Sequence, residues 1–330
     1  MNELMLKNKK ILLLYARFFG YDVIVKEKLQ SYGAHVDLFD ARANINSVEK
    51  AIRRINPSFY FKKQRRFHEN IQKMNGGIDY DFIFSNDVLD VEILEQYRTL
   101  FPSATFVLYI DDSVKNMRGV EKTFRYYDRV LTFDKKDSVE YNIAFRPLFY
   151  SDLFKEQGNL ECENEYDISF VGTCHSDRIN IISYIKNKFP QYSCYFFCYM
   201  QSWFMYYYHW LREKEYRQVE KNFFNFKSLS MMKVAEVMGK SRCVLDIQHP
   251  GQTGLTMRTI ETIGARKKLI TTNPDVLDYD FFCKENVLLI NRKNPIIDEA
   301  FIECKYQPLT DEMYEKYSID GWIKEVFTKK

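Results

Sequence analysis

Short apolar runs alternate with longer amphipathic segments along the whole chain of 330 residues. In the first half these runs are residues 10–15, 35–39, 81–85, 105–110, 130–133 and 143–145. The pattern begins again in the second half, at residues 167–171, 193–197, 243–247, 268–271 and 287–290. Helices are predicted between them at 21–32, 177–189, 230–239 and 255–263. Short strands that alternate with helices predict an α/β protein with parallel sheets covered on both faces.

The charged, turn-rich segment 155–165 divides this pattern into two halves of comparable size. We therefore predict two Rossmann-like, doubly wound domains, 1–155 and 165–330. A short C-terminal helix at 320–327 is expected to pack either on the second domain or back on the first. Since parallel sheets bind ligands at the carboxyl ends of their strands, two such domains would face each other across a cleft that holds the active site.

Composition narrows the function classes. Lys and Arg total 48 against 45 Asp and Glu, a net charge of +3 that gives no support to a nucleic-acid partner. The seven cysteines are odd in number and scattered, which predicts free thiols and a reducing cytoplasm rather than a disulfide framework. The inner face of a membrane is an alternative location.

Residues 189–211 carry no formal charge and are numerous enough to cross a membrane as a helix. They include Pro190 and six tyrosines, and they lack the density of Leu, Ile and Val that a lipid-facing helix needs. We predict a buried strand followed by an aromatic helix here.

The first motif is FVGTCHSDR at 170–178, a predicted strand that runs through a turn into a helix. Ser176 is a candidate N-cap, and the free N–H groups of a helix start attract anions. Arg178 would add a bidentate contact to a phosphate. A plain strand–turn–helix corner with a surface arginine is the alternative. Gly172 is the only glycine of the motif, so this is not a dinucleotide fingerprint.

The second motif spans residues 243–264. Its loop at 250–254 contains two glycines, which allow a ligand to approach the backbone closely. In the helix that follows, Arg258 and Glu261 are three residues apart and share a face. A cation beside a carboxylate suits a ligand with both phosphate and hydroxyl groups. A simple ion pair worth a few tenths of a kcal/mol is the alternative.

The block GLTMRTIE at 254–261, followed by GARKKLITTN at 264–273, resembles the C-terminal domain of CgeB-like GT-B glycosyltransferases. The strand at 167–172 with Arg178 is similar to the opening of that domain. The resemblance covers about residues 165–295, and the N-terminal half matches in architecture alone. It implies a GT-B fold and sugar transfer from a nucleotide-diphosphate sugar.

The resemblance also implies roles for single residues. Glu261 would hydrogen-bond the ribose or sugar hydroxyls, and Arg258 with Arg178 would face the diphosphate. The predicted donor-binding residues are Gly172, Arg178, Gly254, Thr256, Arg258 and Glu261. Retaining relatives often carry a second Glu eight positions earlier, where this chain has Thr253, so stereochemistry stays open.

Candidate residues for the acceptor side follow the strands of the first half. Asp111 and Asp112 come directly after a predicted strand, where a general base would lie. A turn or helix cap is the alternative for this pair, and Asp87 is the next candidate base. Arg17 and Gly20 follow the first strand and are predicted to contact acceptor or donor. No metal cofactor is expected, because the five histidines are dispersed.

The segment 53–67 interleaves six basic residues with four aromatic ones. Such a segment suits an anionic membrane surface, where each basic residue contributes about 1 kcal/mol. Single-stranded nucleic acid and a solvated helix face with buried rings are the alternatives.

Together these patterns predict a glycosyltransferase that uses a nucleotide-diphosphate sugar to extend a glycan or lipid-linked acceptor. Bacterial capsule or lipopolysaccharide assembly is the expected setting. The alternative is a non-catalytic protein of the same fold that binds a nucleotide or glycan. A nucleic-acid-binding module is disfavoured by the near-neutral net charge.

Overall fold

The computed structural model describes residues 6–44, 57–160, 163–251 and 253–328. Within these residues the strands form two sheets of six strands each, and every pairing is parallel. The strands of the first sheet are β1 (Lys10–Leu14), β2 (His35–Phe39), β3 (Phe82–Ser85), β4 (Thr105–Ile110), β5 (Arg129–Thr132) and β6 (Ala144–Phe145). Those of the second are β7 (Tyr166–Thr173), β8 (Cys194–Tyr199), β9 (Phe224–Asn225), β10 (Ser241–Asp246), β11 (Lys268–Thr271) and β12 (Val287–Leu289).

Helices connect the strands on both sides of each sheet. In the first half they are α1 (Tyr21–Ser31), α2 (Pro57–Asn75), α3 (Val91–Leu100) and α4 (Lys135–Tyr141). The second half contains α5 (Asp152–Asn159), α6 (Arg178–Lys188), α7 (Trp203–Arg212), α8 (Met231–Gly239), α9 (Met257–Gly264), α10 (Glu299–Glu303), α11 (Asp311–Lys316) and α12 (Ile319–Val326). The predicted α/β class with two doubly wound parallel sheets is confirmed. The two-residue strand β9 has no counterpart in the sequence prediction.

The chain divides into one unit of Met1–Pro147 with Ile319–Lys330 and a second unit of Leu148–Ser318. The sequence prediction placed the division at 155–165 instead. Helix α5 belongs to the second unit because glycines let it lie against α8 and α9. A Cβ at Gly158 would come within 2.6 Å of the Gly264 carbonyl oxygen, and one at Gly239 within 2.8 Å of the Gln157 side chain. Helix α5 therefore packs closely against α8 and α9 and belongs to the same unit as they do.

The C-terminal helix α12 is part of the first unit. Its Trp322 is fully buried and meets Tyr109 edge-on, with ring centroids 5.0 Å apart. Arg129 donates hydrogen bonds to the backbone carbonyls of Glu325, Val326 and Thr328 at the end of the helix. The Arg129 guanidinium thus pairs with backbone carbonyls that a helix C-terminus leaves without partners.

Residues 189–211 contain strand β8 and nearly all of helix α7, in the predicted order of a strand followed by an aromatic helix. In the described part of the chain, no helix is long and apolar enough to cross a membrane. The six described cysteines are free, and Cys174, Cys198 and Cys243 among them are buried.

Candidate functional site

The second sheet has its topological switch point between β7 and β10. From β7 the chain adds β8 and β9 on one side, and then places β10, β11 and β12 on the other. The loops after β7 and β10 therefore leave the carboxyl edge in opposite directions. The crevice between such loops is where open α/β sheets bind ligands.

Arg178 lies in this crevice, but it is buried and its guanidinium is already used. Its Nε donates to the carbonyl of Ile247 and its Nη1 to that of Thr173, both at 2.8 Å. Burial, and then the neighbouring Arg258, lower the pKa of Arg178 to about 10. The alternative of a surface arginine is wrong, because Arg178 is buried and its bonds tie the ends of β7 and β10 together. Arg178 therefore contributes positive charge to the crevice from a buried position.

Arg258, in the first turn of α9, is the second cation of the crevice. Both guanidinium groups lie near the ring of Phe170, at 5.7 Å for Arg178 and 5.2 Å for Arg258. A Cβ at Gly172 would be 3.2 Å from Nη2 of Arg258 and 3.5 Å from Nη1 of Arg178. Gly172 thus provides room for the two cations, and the structure brings together three of the predicted donor-binding residues.

The guanidinium of Arg258 makes no hydrogen bond to the residues that the structure describes. Its Nη1 is 3.7 Å from Oδ1 of Asp246, and its Nε is buried without a partner. The side chain keeps 17% of its surface exposed. A charged, mostly buried group with unused donors is costly unless a ligand pairs with it.

Asp246 explains why α9 begins where it does. This residue is fully buried at the end of β10, and its Oδ2 accepts hydrogen bonds from the hydroxyls of Thr256 and Thr259, each 2.9 Å long. The Thr256 hydroxyl also accepts from the Thr259 amide as the N-cap of the helix. Thr256 therefore has a structural role, fixing the helix that carries Arg258.

The glycine-containing loop before α9 is fixed by hydrogen bonds to the segment after β11. Gly254 has a φ of 75°, a left-handed conformation that favours glycine. Its amide donates to Asp275, and its carbonyl accepts from Asn273 at 2.7 Å. The amide and the carbonyl of Gly254 are therefore already paired, and the prediction that a ligand approaches this backbone stays a prediction. Glu261 lies on α9 one turn after Arg258 and is 9% exposed.

Three further residues of the crevice were absent from the sequence prediction. His175 follows β7 and His249 follows β10, with ring centroids 5.6 Å apart. Burial, Arg178 and His249 lower the pKa of His175 to about 4, so its ring is neutral near pH 7. Arg292, beyond β12, pairs with Asp177 and donates to the carbonyl of Gln248. Each follows a predicted strand, which is the signal that would have found them.

The first sheet has its own switch point, between β1 and β3. Asn86, just after β3, accepts a hydrogen bond from the Ala16 amide at 2.7 Å. Its Nδ2 donates to Oδ2 of Asp111 at 2.8 Å. Burial raises the pKa of Asp111 to about 7, and Asp87 and Asp112 add to this, against the lowering effect of the Asn86 bond. A carboxyl with its pKa in this range matches the ideal for a general base near neutral pH.

The other two candidate carboxylates have partners of a different kind. Asp112 accepts hydrogen bonds from the Ser113 amide at 2.7 Å and from Nδ2 of Asn116 at 2.9 Å, which is the turn alternative. Asp87 forms an ion pair with Arg42. Asp112 therefore serves a turn and Asp87 an ion pair, whereas Asp111 is bonded to the side chain of Asn86.

Arg17 and Gly20 lie in the loop after β1, at the same edge as Asp111. Arg17 is 77% exposed on its side chain, with Nε 3.7 Å from Asp40. Gly20 has a φ of 82° and precedes α1. Between them Phe18 and Phe19 are both exposed. This loop presents a cation and two rings to solvent.

The segment 53–67 falls only partly within the described residues, since 53–56 lie outside them. From residue 57 it forms the start of α2, where Gln64 is buried. Arg65 pairs with Asp90 and Glu92, and Phe61 is 48% exposed. This part of the segment forms a helix face, but its rings are not buried as that alternative expected, because Phe61 is exposed and Phe67 is half-buried.

The expectation that no metal is bound overlooked two Asp-Tyr-Asp sequences, at 79–81 and 278–280. Asp81 pairs with Lys9 at 2.7 Å, and Asp280 pairs with Lys316. Among the described residues, no group of three His, Cys, Asp or Glu is placed to hold a metal ion.

No protein-family model and no curated protein sequence matches this chain. Solved structures do match it over nearly its whole length. A glycosyltransferase from Rickettsia africae has a TM-score of 0.59 at 12% identity, covering 98% of this chain and 100% of that one. The chain has the GT-B fold.

Two other GT-B structures show the same fold. HepE from Anabaena, solved with UDP and glucose, has a TM-score of 0.54 at 11% identity over 97% of this chain and 95% of its own. The lipopolysaccharide outer core galactosyltransferase WaaB, in its apo form, has a TM-score of 0.52 at 12% identity, with coverages of 96% and 99%. The predicted GT-B fold is confirmed, whereas the CgeB-like resemblance stays a prediction.

Proposed function

We propose that this chain is a glycosyltransferase that moves a sugar from a nucleotide-diphosphate sugar to an acceptor hydroxyl. The observation that carries the proposal is Arg258. Its guanidinium sits at the switch point of a GT-B domain, 17% exposed and without a hydrogen bond to the described residues. A diphosphate is the ligand that best matches a planar cation with unused donors.

The proposed role of the crevice is to stabilise the leaving diphosphate. When the bond between sugar and diphosphate breaks, negative charge grows on the leaving oxygen. Arg258 would donate to it directly, while Arg178 and the N-terminus of α9 supply positive potential from fixed positions. The proposal gives this neutralisation to arginines rather than to a metal ion. By the CgeB-like resemblance, Glu261 would bind hydroxyls of the ribose or sugar.

Asp111 is the proposed general base. The acceptor hydroxyl gives its proton to the carboxylate as its oxygen bonds to the sugar carbon, and the diphosphate leaves with the bonding electrons. A base with a pKa of about 7 is half ionised near neutral pH and can also return the proton to water. Arg17 and Gly20 remain proposed contacts on this side, with Asp87 as an indirect contributor through its charge.

Uridine diphosphate is the first donor nucleotide to test, because HepE, which shares the fold, was solved with it. We further propose a role in bacterial capsule or lipopolysaccharide assembly in the cytoplasm, with a glycan or lipid-linked acceptor. Support for this setting comes from the CgeB-like motif and from WaaB, a lipopolysaccharide galactosyltransferase of the same fold.

The test is release of nucleotide from a panel of UDP- and GDP-sugars. Glycosyltransferases hydrolyse their donor slowly without acceptor, so the wild type should release UDP or GDP together with free sugar from at least one donor. The Arg258→Ala variant should lose this release. If a donor binds and no sugar is ever freed, with or without glycan acceptors, the chain is the non-catalytic binding protein instead.

A further inference from the structure

Helix α7 presents an unusual surface to solvent. Its exposed side chains, which we call the aromatic face, are Trp203, Phe204, Tyr207, Tyr208, Trp210 and Leu211. Phe204 is 77% exposed and Leu211 is 70% exposed. Helical spacing places these residues on one continuous side, while Tyr206 is buried on the other. So many large apolar groups on one side are costly to leave in water.

This face is built onto the carboxyl edge of the second sheet. Strand β9 pairs only with Cys198 and Tyr199, the last residues of β8. The intervening segment therefore leaves that edge and returns to it. Tyr216 within the segment stacks on Phe224, with ring centroids 5.5 Å apart, and donates its hydroxyl to the carbonyl of Cys174 at 3.1 Å. His209 of α7 stacks on Tyr216, with ring centroids 5.0 Å apart, so the helix that carries the aromatic face is linked through Tyr216 to the loop after β7. The same loop forms part of the arginine crevice.

The exposed charges around the aromatic face are mostly positive. Between residues 203 and 227, all of them described, the exposed basic side chains are Arg212, Lys214, Arg217, Lys221 and Lys227. Glu220 is the only exposed acid in this segment, since Glu213 and Glu215 are half-buried. Lys221 lies 4.2 Å from the centre of the Trp203 ring, and Arg212 donates to the Tyr208 hydroxyl. The rings are bordered by cations.

We infer that the aromatic face docks onto an anionic lipid surface. Tryptophan and tyrosine favour the headgroup level of membranes, where the ring is apolar and the N–H or O–H stays wet. Helices that lie in the interface combine such an apolar side with flanking lysine and arginine. A face of this composition at the crevice edge would bring donor chemistry to the membrane surface. The inference goes beyond the proposed sugar transfer and does not depend on it.

Flotation of the full chain with vesicles tests the inference. The wild type should float with vesicles of phosphatidylcholine and phosphatidylglycerol, less so with phosphatidylcholine alone, and binding should weaken as salt rises. Phe204→Ser with Leu211→Ser should lower partition about tenfold or more. Lys214→Gln with Arg217→Gln should lower it about 30-fold. The matched control is Val139→Ser with Ile296→Ser, exposed residues of 84% and 62% elsewhere, which should bind as the wild type does.

Three outcomes would overturn the inference. One is a wild type that does not float with anionic vesicles. Another is a Phe204→Ser, Leu211→Ser variant that floats as well as the wild type. The third is a wild type that is a dimer by light scattering and becomes a monomer in the Phe204→Ser, Leu211→Ser variant. That result would assign the aromatic face to contact with a second copy of the chain. Since flotation needs no sugar donor, its failure leaves the proposed sugar transfer standing, and the reverse also holds.

Discussion

Asn86 donates a hydrogen bond from Nδ2 to Oδ2 of Asp111, 2.8 Å away, across the ends of two neighbouring strands. The same amide side chain accepts from the backbone of Ala16 after β1. Asn86 therefore orients the Asp111 carboxylate and favours its ionised form, while burial opposes ionisation. The balance places this carboxyl in the range where proton transfer at neutral pH is effective.

The Asp111→Asn variant is expected to lose sugar transfer by about 10²–10⁴-fold, the usual contribution of a general base. Donor affinity should stay within about twofold, since Asp111 belongs to the other sheet from the arginine crevice. Steady-state kinetics together with UDP titration separate the two effects. Asp112→Asn is the control, because Asp112 serves a turn. Equal losses in the two variants would contradict the assignment.

The pH profile gives a second, independent prediction. Wild-type kcat/KM should rise with pH through about 7, as the Asp111 carboxyl loses its proton. Asn86→Ala removes the hydrogen bond that lowers the pKa of Asp111, so this rise should move to higher pH. A profile whose position is the same in both proteins would separate Asp111 from the titrating group.

The free energy of unfolding should also depend on the titration of Asp111, and this can be measured without any substrate. The pKa of Asp111 is raised from 3.8 to about 7, so the folded chain holds this proton more tightly than the unfolded chain. Its contribution to the free energy of unfolding is therefore lost as pH rises from about 4 to 7. Asp111→Asn removes the loss and should unfold at higher urea concentration than the wild type at about pH 8. The difference should vanish near pH 4, and a difference that is constant with pH would refute the linkage.

Gly172 offers a steric test of the arginine crevice. In Gly172→Ala the new methyl would lie 3.2 Å from Nη2 of Arg258 and 3.0 Å from the Phe170 ring, so the guanidinium must shift. We expect UDP or GDP to bind about tenfold more weakly, from loss of about one charged hydrogen bond. Gly77→Ala meets no atom within 4 Å and is the matched control for titration calorimetry. Unchanged affinity in Gly172→Ala would argue against a ligand at Arg258.

Trp322→Ala tests the place of the C-terminal helix. This side chain is fully buried in the first unit, so its removal should lower the free energy of unfolding by about 3–5 kcal/mol. Trp210→Ala, at a residue 39% exposed, should change it by less than about 1 kcal/mol. Urea unfolding curves measure both. Equal effects would contradict the packing of α12.

The strands were predictable because buried parallel strands are short apolar runs, and all but β9 were found. Strand β9 has two residues, too few for a pattern, and it forms because it pairs with the end of β8. The division between the units was misplaced because Gly158 and Gly239 permit close helix packing, which depends on residues far apart in sequence. The sequence prediction relied on the charged, turn-rich composition of residues 155–165 to place the domain boundary there.

The site was predicted in part. The sequence pattern placed Gly172 and Asp111 at the ends of predicted strands and Arg258 in the helix after another strand, and the structure has them there. The sequence could not show that the Arg178 guanidinium donates to the carbonyls of Ile247 and Thr173. Nor could it show that the Gly254 amide donates to Asp275. Those partners become neighbours only when the sheet forms. The raised pKa of Asp111 likewise depends on burial, which exists only in the folded chain.

The most direct test of the account is isothermal titration of the wild type with UDP and with GDP, beside Arg258→Ala and Glu261→Ala. Arg242→Ala is the control, because this exposed arginine of β10 pairs with Asp167. The account predicts that at least one nucleotide binds the wild type and the control alike. Arg258→Ala should bind it about 10–100-fold more weakly, and Glu261→Ala should also bind it more weakly. A wild type that binds neither nucleotide, or an Arg258→Ala variant that binds as well as the wild type, would contradict it.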